Sequence, residues 1–228
     1  RSDGAYAARA AIHAEKQEID KAIADYTRAT EINSAAIGLR SRLAGLLIDR
    51  GRRSFDQKDY DRAITDSNSA LTADPSATQG HGLRGKAHLG KKNYLSAVAD
   101  LTFAIQAAPK SADLYLSRGR AYDGRDEAQS AVADYSKVIG LEPKMAAAYV
   151  LRAAAYARLK DHVRAGADYR AALAIEPNNA LAKEGASKVP DSESEKPRPV
   201  FSDAPMRVTV VRTAKTDCAP ACLEWIAA

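Results

Sequence analysis

The sequence is poor in the residues that most often carry chemistry. Its 228 residues include two cysteines, four histidines and one tryptophan. The cysteines, Cys218 and Cys222, stand near the C-terminal end with no histidine beside them, so they cannot complete a four-ligand zinc site and no metal is expected. G-x-S-x-G is absent, and no Ser, His and Asp fall in a strand–turn–helix context, so no catalytic residue and no cofactor is expected. No apolar run approaches about eighteen residues, which excludes a helical membrane span. The net charge of +5 is a mild surplus, and basic residues do not interleave with aromatics, so no nucleic-acid partner is expected. The chain opens on Arg1 and not on methionine, as expected of a piece of a longer protein or a cleaved product.

What is abundant is alanine, in a chain that is 46% hydrophobic and 28% charged, a composition suited to closely packed helices. It is also periodic. Pro75, Pro109, Pro143 and Pro177 are 34 residues apart, and Ala63, Ala97, Ala131 and Ala165 and Asp66, Asp100, Asp134 and Asp168 keep the same phase. A small residue stands twelve before each alanine, at Gly51, Gly85, Gly119 and Ala153, which predicts close approach of two helices. Ala10, Ala22, Asp25 and Tyr26 make a degenerate fifth copy, with Ser34 in the proline's place. Ala22 and Ala63 are 41 apart, seven more than the period. Seven residues are two helical turns, so the apolar face keeps its register in one long helix over about 35–57.

A 34-residue period carrying these alanines, glycines and tyrosines resembles the tetratricopeptide repeat family. The resemblance covers about 180 of the 228 residues and implies an all-α, right-handed solenoid of helix–turn–helix repeats. The expected divisions are a degenerate repeat over 3–36, regular repeats over 44–77, 78–111, 112–145 and 146–179, and a capping helix over 179–188. The solenoid, 1–188, is followed by a proline-rich linker over 189–205. Residues 206–228 then open an incomplete second domain: a β-branched, alternating strand over 206–213 and the cysteine tail. The four-residue spacing of Cys218 and Cys222, with Pro220 between them, predicts an intrachain disulfide and hence a periplasmic or secreted protein; a cytoplasmic one is the alternative. These last thirty residues also resemble the start of a periplasmic ClpP/crotonase-like domain.

Tyr115, Tyr122, Tyr135, Tyr149, Tyr156 and Tyr169 recur at equivalent places in the last two repeats and read as core. Ser54, Ser67, His81 and His88 replace tyrosines in the earlier ones, which predicts a stability core in the C-terminal repeats. All four histidines, His13, His81, His88 and His162, align with tyrosines elsewhere and are expected to act as packing substitutes. Arg9, Arg50, Arg84, Arg118 and Arg152 precede the small residues and are expected to pair with the phased aspartates in an inter-helix ladder.

The position after each small residue is Arg52, Lys86, Arg120 and then Ala154. The resemblance implies that it points into a concave groove. Residues four before and three after share its face, adding Ile48, Phe55, Leu89 and Leu116 as candidate partner-binding residues. Gly82, Leu116 and Val150 stand where a chaperone-tail clamp needs donors, so that mode is rejected. The expected function is a scaffold binding a peptide or protein with acidic and aliphatic side chains. The alternatives are the targeting module of a ClpP-like serine hydrolase whose catalytic domain lies elsewhere, and a structural self-association module.

Overall fold

A computed structural model of the chain describes residues 2–189, all within the first of the two units into which the chain divides, Arg1–Ser194. The linker, the expected strand and the cysteine pair lie outside the described residues. Eleven α-helices follow one another: α1 Asp3–Glu15, α2 Ile19–Ile32, α3 Ile37–Asp56, α4 Tyr60–Ala73, α5 Gln79–Gly90, α6 Tyr94–Ala107, α7 Ala112–Gly124, α8 Ala128–Leu141, α9 Ala146–Arg158, α10 His162–Ile175 and α11 Ala180–Lys188. They form five hairpins and a terminal helix, an all-α solenoid with no strand among the described residues.

Each hairpin turns in the same way. Gln17, Lys58, Lys92, Asp126 and Lys160 take φ near +60°, and the next amide donates back to a carbonyl five residues earlier, as from Asp59 N to Ser54 O (2.8 Å) and Asn93 N to His88 O (2.8 Å). This Schellman closure satisfies helix-end carbonyls that would otherwise be orphaned. The following helix starts at once, with Asp59, Asn93 and Asp161 accepting from the amides of Arg62, Ser96 and Arg164. Between hairpins, Asp74, Ala108, Glu142 and Glu176 leave the helical region, with φ from −137° to −128°, as suits a residue preceding proline, and each ends its helix; Asn33, before Ser34, takes the same turn without a proline.

The paired helices touch through small residues. A Cβ added to Gly119 would sit 2.6 Å from Tyr135 Cε1, and one added to Gly85 2.8 Å from Leu101 Cγ. Ala63, Ala97, Ala131 and Ala165 are fully buried opposite them.

The arginine ladder is present in all five hairpins as a two-pronged fork. Arg9, Arg50, Arg84, Arg118 and Arg152 each give two bonds of 2.6–3.0 Å to Asp25, Asp66, Asp100, Asp134 and Asp168. The sequence did not reveal the third bond. Arg84 Nη1 reaches back to Asn68 on the preceding hairpin (2.7 Å), Arg118 to Thr102 (3.1 Å) and Arg152 to Ser136 (2.9 Å). These forks therefore each tie three helices, and successive repeats are linked by the same residue that closes each one.

The extra seven residues become visible here. In the degenerate hairpin the residue equivalent to Asn68 is Thr27, yet Arg50 Nη1 bonds Asp20 (2.6 Å), seven earlier. The first hairpin is therefore offset along α3 by two turns, about 10 Å. At 20 residues α3 is long enough to serve both neighbours: Leu43, Ala44 and Leu47 are buried in one cluster with Ile23 and Tyr26 of α2, while Gly51 faces Asp66 of α4. Arg40 Nε in the added turns bonds Ala73 O (2.6 Å), capping the carbonyl end of α4.

Candidate groove and its apolar pocket

Odd-numbered helices pack on one another along the solenoid, α3 on α5, α5 on α7 and α9 on α11, and α3, α5 and α7 make a continuous row. On this row lies a pocket of about 360 Å³, between the ends of α3, α5 and α7, with Ala104 of α6 and Ala108 also lining it. Its floor is apolar, with Gly82, Leu83 and Leu114; Phe55 makes a wall; Arg52 and Lys86 stand at the rim with Asp56, Asp113 and Gln79.

Of the residues expected in the groove, Arg52, Phe55 and Lys86 meet at this pocket. Arg52 is exposed and its only ion pair among the described residues is with Asp49, at 3.3 Å on its own helix. Lys86 pairs with Asp113 of α7, a partner 27 residues away that the single-helix spacing could not show. Arg120 is exposed and has no ion partner among the described residues. The apolar candidates need correction. Ile48 is 4% exposed and belongs to the core beneath the groove, because α3 is sandwiched between hairpins at that turn. Leu89 and Leu116 are half-buried against the cores of their repeats. The rim carries charges of both signs, Arg52 and Lys86 with Asp56 and Asp113.

The histidines depart from the tyrosines they replace. In the later repeats Tyr115 and Tyr122 flank the Arg118 guanidinium at 5.7 and 5.8 Å, and Tyr149 and Tyr156 flank that of Arg152 at 5.8 and 5.9 Å. In the third hairpin His81 Nδ1 instead lies 3.1 Å from Asp100 Oδ1 and stacks on Phe103, and His88 Nε2 stands 4.0 Å from Asp100 Oδ2. His13 is within 2.5 Å of Glu18. These are polar partners as well as packing. His162 is exposed, whereas its counterparts Tyr60 and Tyr94 rest against Gly90 and Gly124 on the next odd helix, thirty residues on.

Two groups in this hairpin make stability depend on pH. Burial lowers the affinity of His88 for a proton, helped by Arg84 and Lys91 and opposed by Asp100. Burial would raise the Asp100 carboxyl, but the Arg84 fork and His81 together hold it below its ordinary value. The unfolded chain therefore binds more protons at His88 as pH falls through about 6.5, and at Asp100 as pH falls below about 3.8, so each step removes stability. Thermal unfolding should show a small decline between pH 7 and 5 and a larger one below pH 4. His88→Tyr, the residue its counterparts carry, should abolish the first decline and leave the second; an unchanged profile between pH 7 and 5 in that variant would contradict the assignment.

The sequence matches the tetratricopeptide repeat family over residues 48–112, 83–139 and 112–180, and again over residues 4–35. No curated protein matches it. Among solved structures it is similar to YrrB, described as a tetratricopeptide protein with an unusual peptide-binding site, at 18% identity over 80% of this chain and 90% of that one, TM-score 0.63. It is also similar to a MamA structure (21% identity, 77% and 92% covered, TM-score 0.58) and to MamA from Desulfovibrio magneticus RS-1 (20%, 78% and 97%, TM-score 0.56). At these identities the likeness is one of fold.

Proposed function

The chain belongs to the tetratricopeptide repeat family, and from that premise we propose that it is a non-catalytic scaffold that binds an extended peptide or protein segment along the row of α3, α5 and α7. The observation that carries this reading is the coincidence of the pocket with three residues of the sequence-derived stripe, Arg52, Phe55 and Lys86. Aromatic walls, apolar floors and a few charged groups at the rim are the usual make-up of a recognition site. Acidic side chains of the partner are met by Arg52 and Arg120. The Arg52–Asp49 pair is exposed and weak, so an incoming carboxylate competes for Arg52 readily; Lys86, held by Asp113, contributes less.

Backbone amide shifts of the full ¹⁵N-labelled chain, titrated with capped nine-residue peptides of serine and aspartate around a central leucine, test the reading. The amides of α3, α5 and α7 around Arg52, Lys86 and Arg120 should move, and those on the outward sides of α4, α6 and α8 should not.

A further inference from the structure

One residue lining the pocket sets this repeat apart from the others. The groove-floor position of the repeats is Ile48, Gly82, Leu116 and Val150. Ile48 and Val150 are 4% and 8% exposed, and Leu116 is half-buried, so in three repeats a branched apolar side chain closes the floor. In the third there is no side chain at all, and Gly82 lines the pocket with Leu83 and Leu114.

Within α5 this glycine is the one that packing explains least. α5 has four, Gly80, Gly82, Gly85 and Gly90, in a helix where each interior glycine is unfavourable. Gly85 and Gly90 are forced: a Cβ there would lie 2.8 Å from Leu101 and 2.6 Å from Tyr60. At Gly80 it would meet two atoms of the Leu71 side chain at 3.1 and 3.2 Å. At Gly82 the nearest neighbours of an added Cβ are the Leu114 methyl at 3.3 Å and Ala104 Cβ at 3.6 Å, the loosest fit of the four, which a shift of a few tenths of an ångström in the Leu114 side chain would accommodate. What a larger residue at 82 would cost is the pocket.

We propose that the Gly82 pocket is an anchor socket for one bulky aliphatic side chain of an extended peptide, and so the residue-specific element of the groove. The inference rests on the groove reading above. The rim argues for a peptide and against a lipid or a free hydrocarbon. It carries the cations of Arg52 and Lys86 and the carboxylates of Asp56 and Asp113, with the Gln79 amide able both to donate and to accept. A balanced ring of donors and acceptors around an apolar floor complements a main chain of alternating N–H and C=O whose side chain points inward.

The test compares two capped nine-residue peptides of serine and aspartate that differ only in a central leucine or alanine, each titrated into the full wild-type chain and into Gly82→Leu. The wild type should bind the leucine peptide about tenfold more tightly than the alanine peptide, from burial of the extra methylene and methyl groups. In Gly82→Leu the preference should vanish in a chain that still unfolds cooperatively. If the leucine variant fails to fold, Gly82→Ala serves in its place and should reduce the preference part of the way. Equal binding of both peptides to the wild type, with shifts confined to α3, α5 and α7, would overturn the socket and leave the groove standing. A preference that survives in Gly82→Leu would also overturn it, and binding of neither peptide would overturn socket and groove together.

Discussion

Arg118→Glu is expected to destabilise the protein by about 3–5 kcal/mol, the cost of breaking a buried ion pair from one side. Arg118 Nε and Nη2 fork onto Asp134 at 2.8 and 2.7 Å, the Asp134 side chain is 5% exposed, and Nη1 holds Thr102 of the preceding hairpin at 3.1 Å. The substitution leaves one buried carboxylate facing another and cuts the link between repeats. For a chain of this length that is a fall of roughly 6–20 °C in melting temperature. Arg28→Glu makes a fair control: Arg28 and Glu31 are both more than half exposed, so losing that pair and the bond of Arg28 to Tyr6 should lower the melting temperature far less. Equal, small losses in the two variants would contradict the ladder as the connection between repeats. Because solenoids gain stability from nearest-neighbour interfaces, the damage should be greatest in the hairpins flanking α7 and α8, where hydrogen exchange would locate it.

Tyr135→Ala should be comparably severe, about 3–5 kcal/mol. Tyr135 is the largest fully buried side chain among the described residues, its ring fills the space that Gly119 leaves open, and its hydroxyl donates to Asp123 Oδ2 at 2.6 Å. Burial and that bond raise the tyrosine's pKa, so it remains a neutral donor throughout the accessible range. Tyr135→Phe keeps the ring and loses only the bond, for about 1 kcal/mol, since Asp123 still has Arg158. The equivalent residue two repeats earlier is Ser67, whose hydroxyl bonds Ala63 O within its own helix at 2.7 Å. Ser67→Ala should cost under about 1 kcal/mol, because little apolar volume is removed and the carbonyl keeps its helical partner. Similar losses for Tyr135→Ala and Ser67→Ala, measured by denaturant unfolding, would refute the C-terminal repeats as the more stable part.

Much of this was legible from the chain because a repeat states each requirement several times. The period located the hairpins, the phased Arg and Asp gave the forks, and the small residues gave the contacts between paired helices. What escaped depended on neighbours in other repeats. The offset at α3 followed in principle from its seven added residues, but only the displaced bond from Arg50 to Asp20 shows which hairpin moved. Lys86 looked free until α7 brought Asp113 to it. Ile48 shared a helical face with Arg52, yet one turn of α3 separates core from surface. Ring alignment made the histidines equivalent to tyrosines, whereas an imidazole nitrogen beside Asp100 introduces a proton-binding site that phenol does not. Gly82 counted in the sequence only as a missing donor; a cavity is a property of what surrounds an absent side chain, and Leu83, Leu114 and Phe55 come from three helices.

The most direct measurement is the location of peptide binding on the full chain by amide shifts, using the capped peptide with a central leucine. The account predicts saturable changes centred on Gly82 and Leu83 and extending to Arg52 and Arg120, all on the row of α3, α5 and α7. Changes centred instead on the outward faces of α4, α6 and α8, with Gly82 and Leu83 unmoved at saturation, would contradict it.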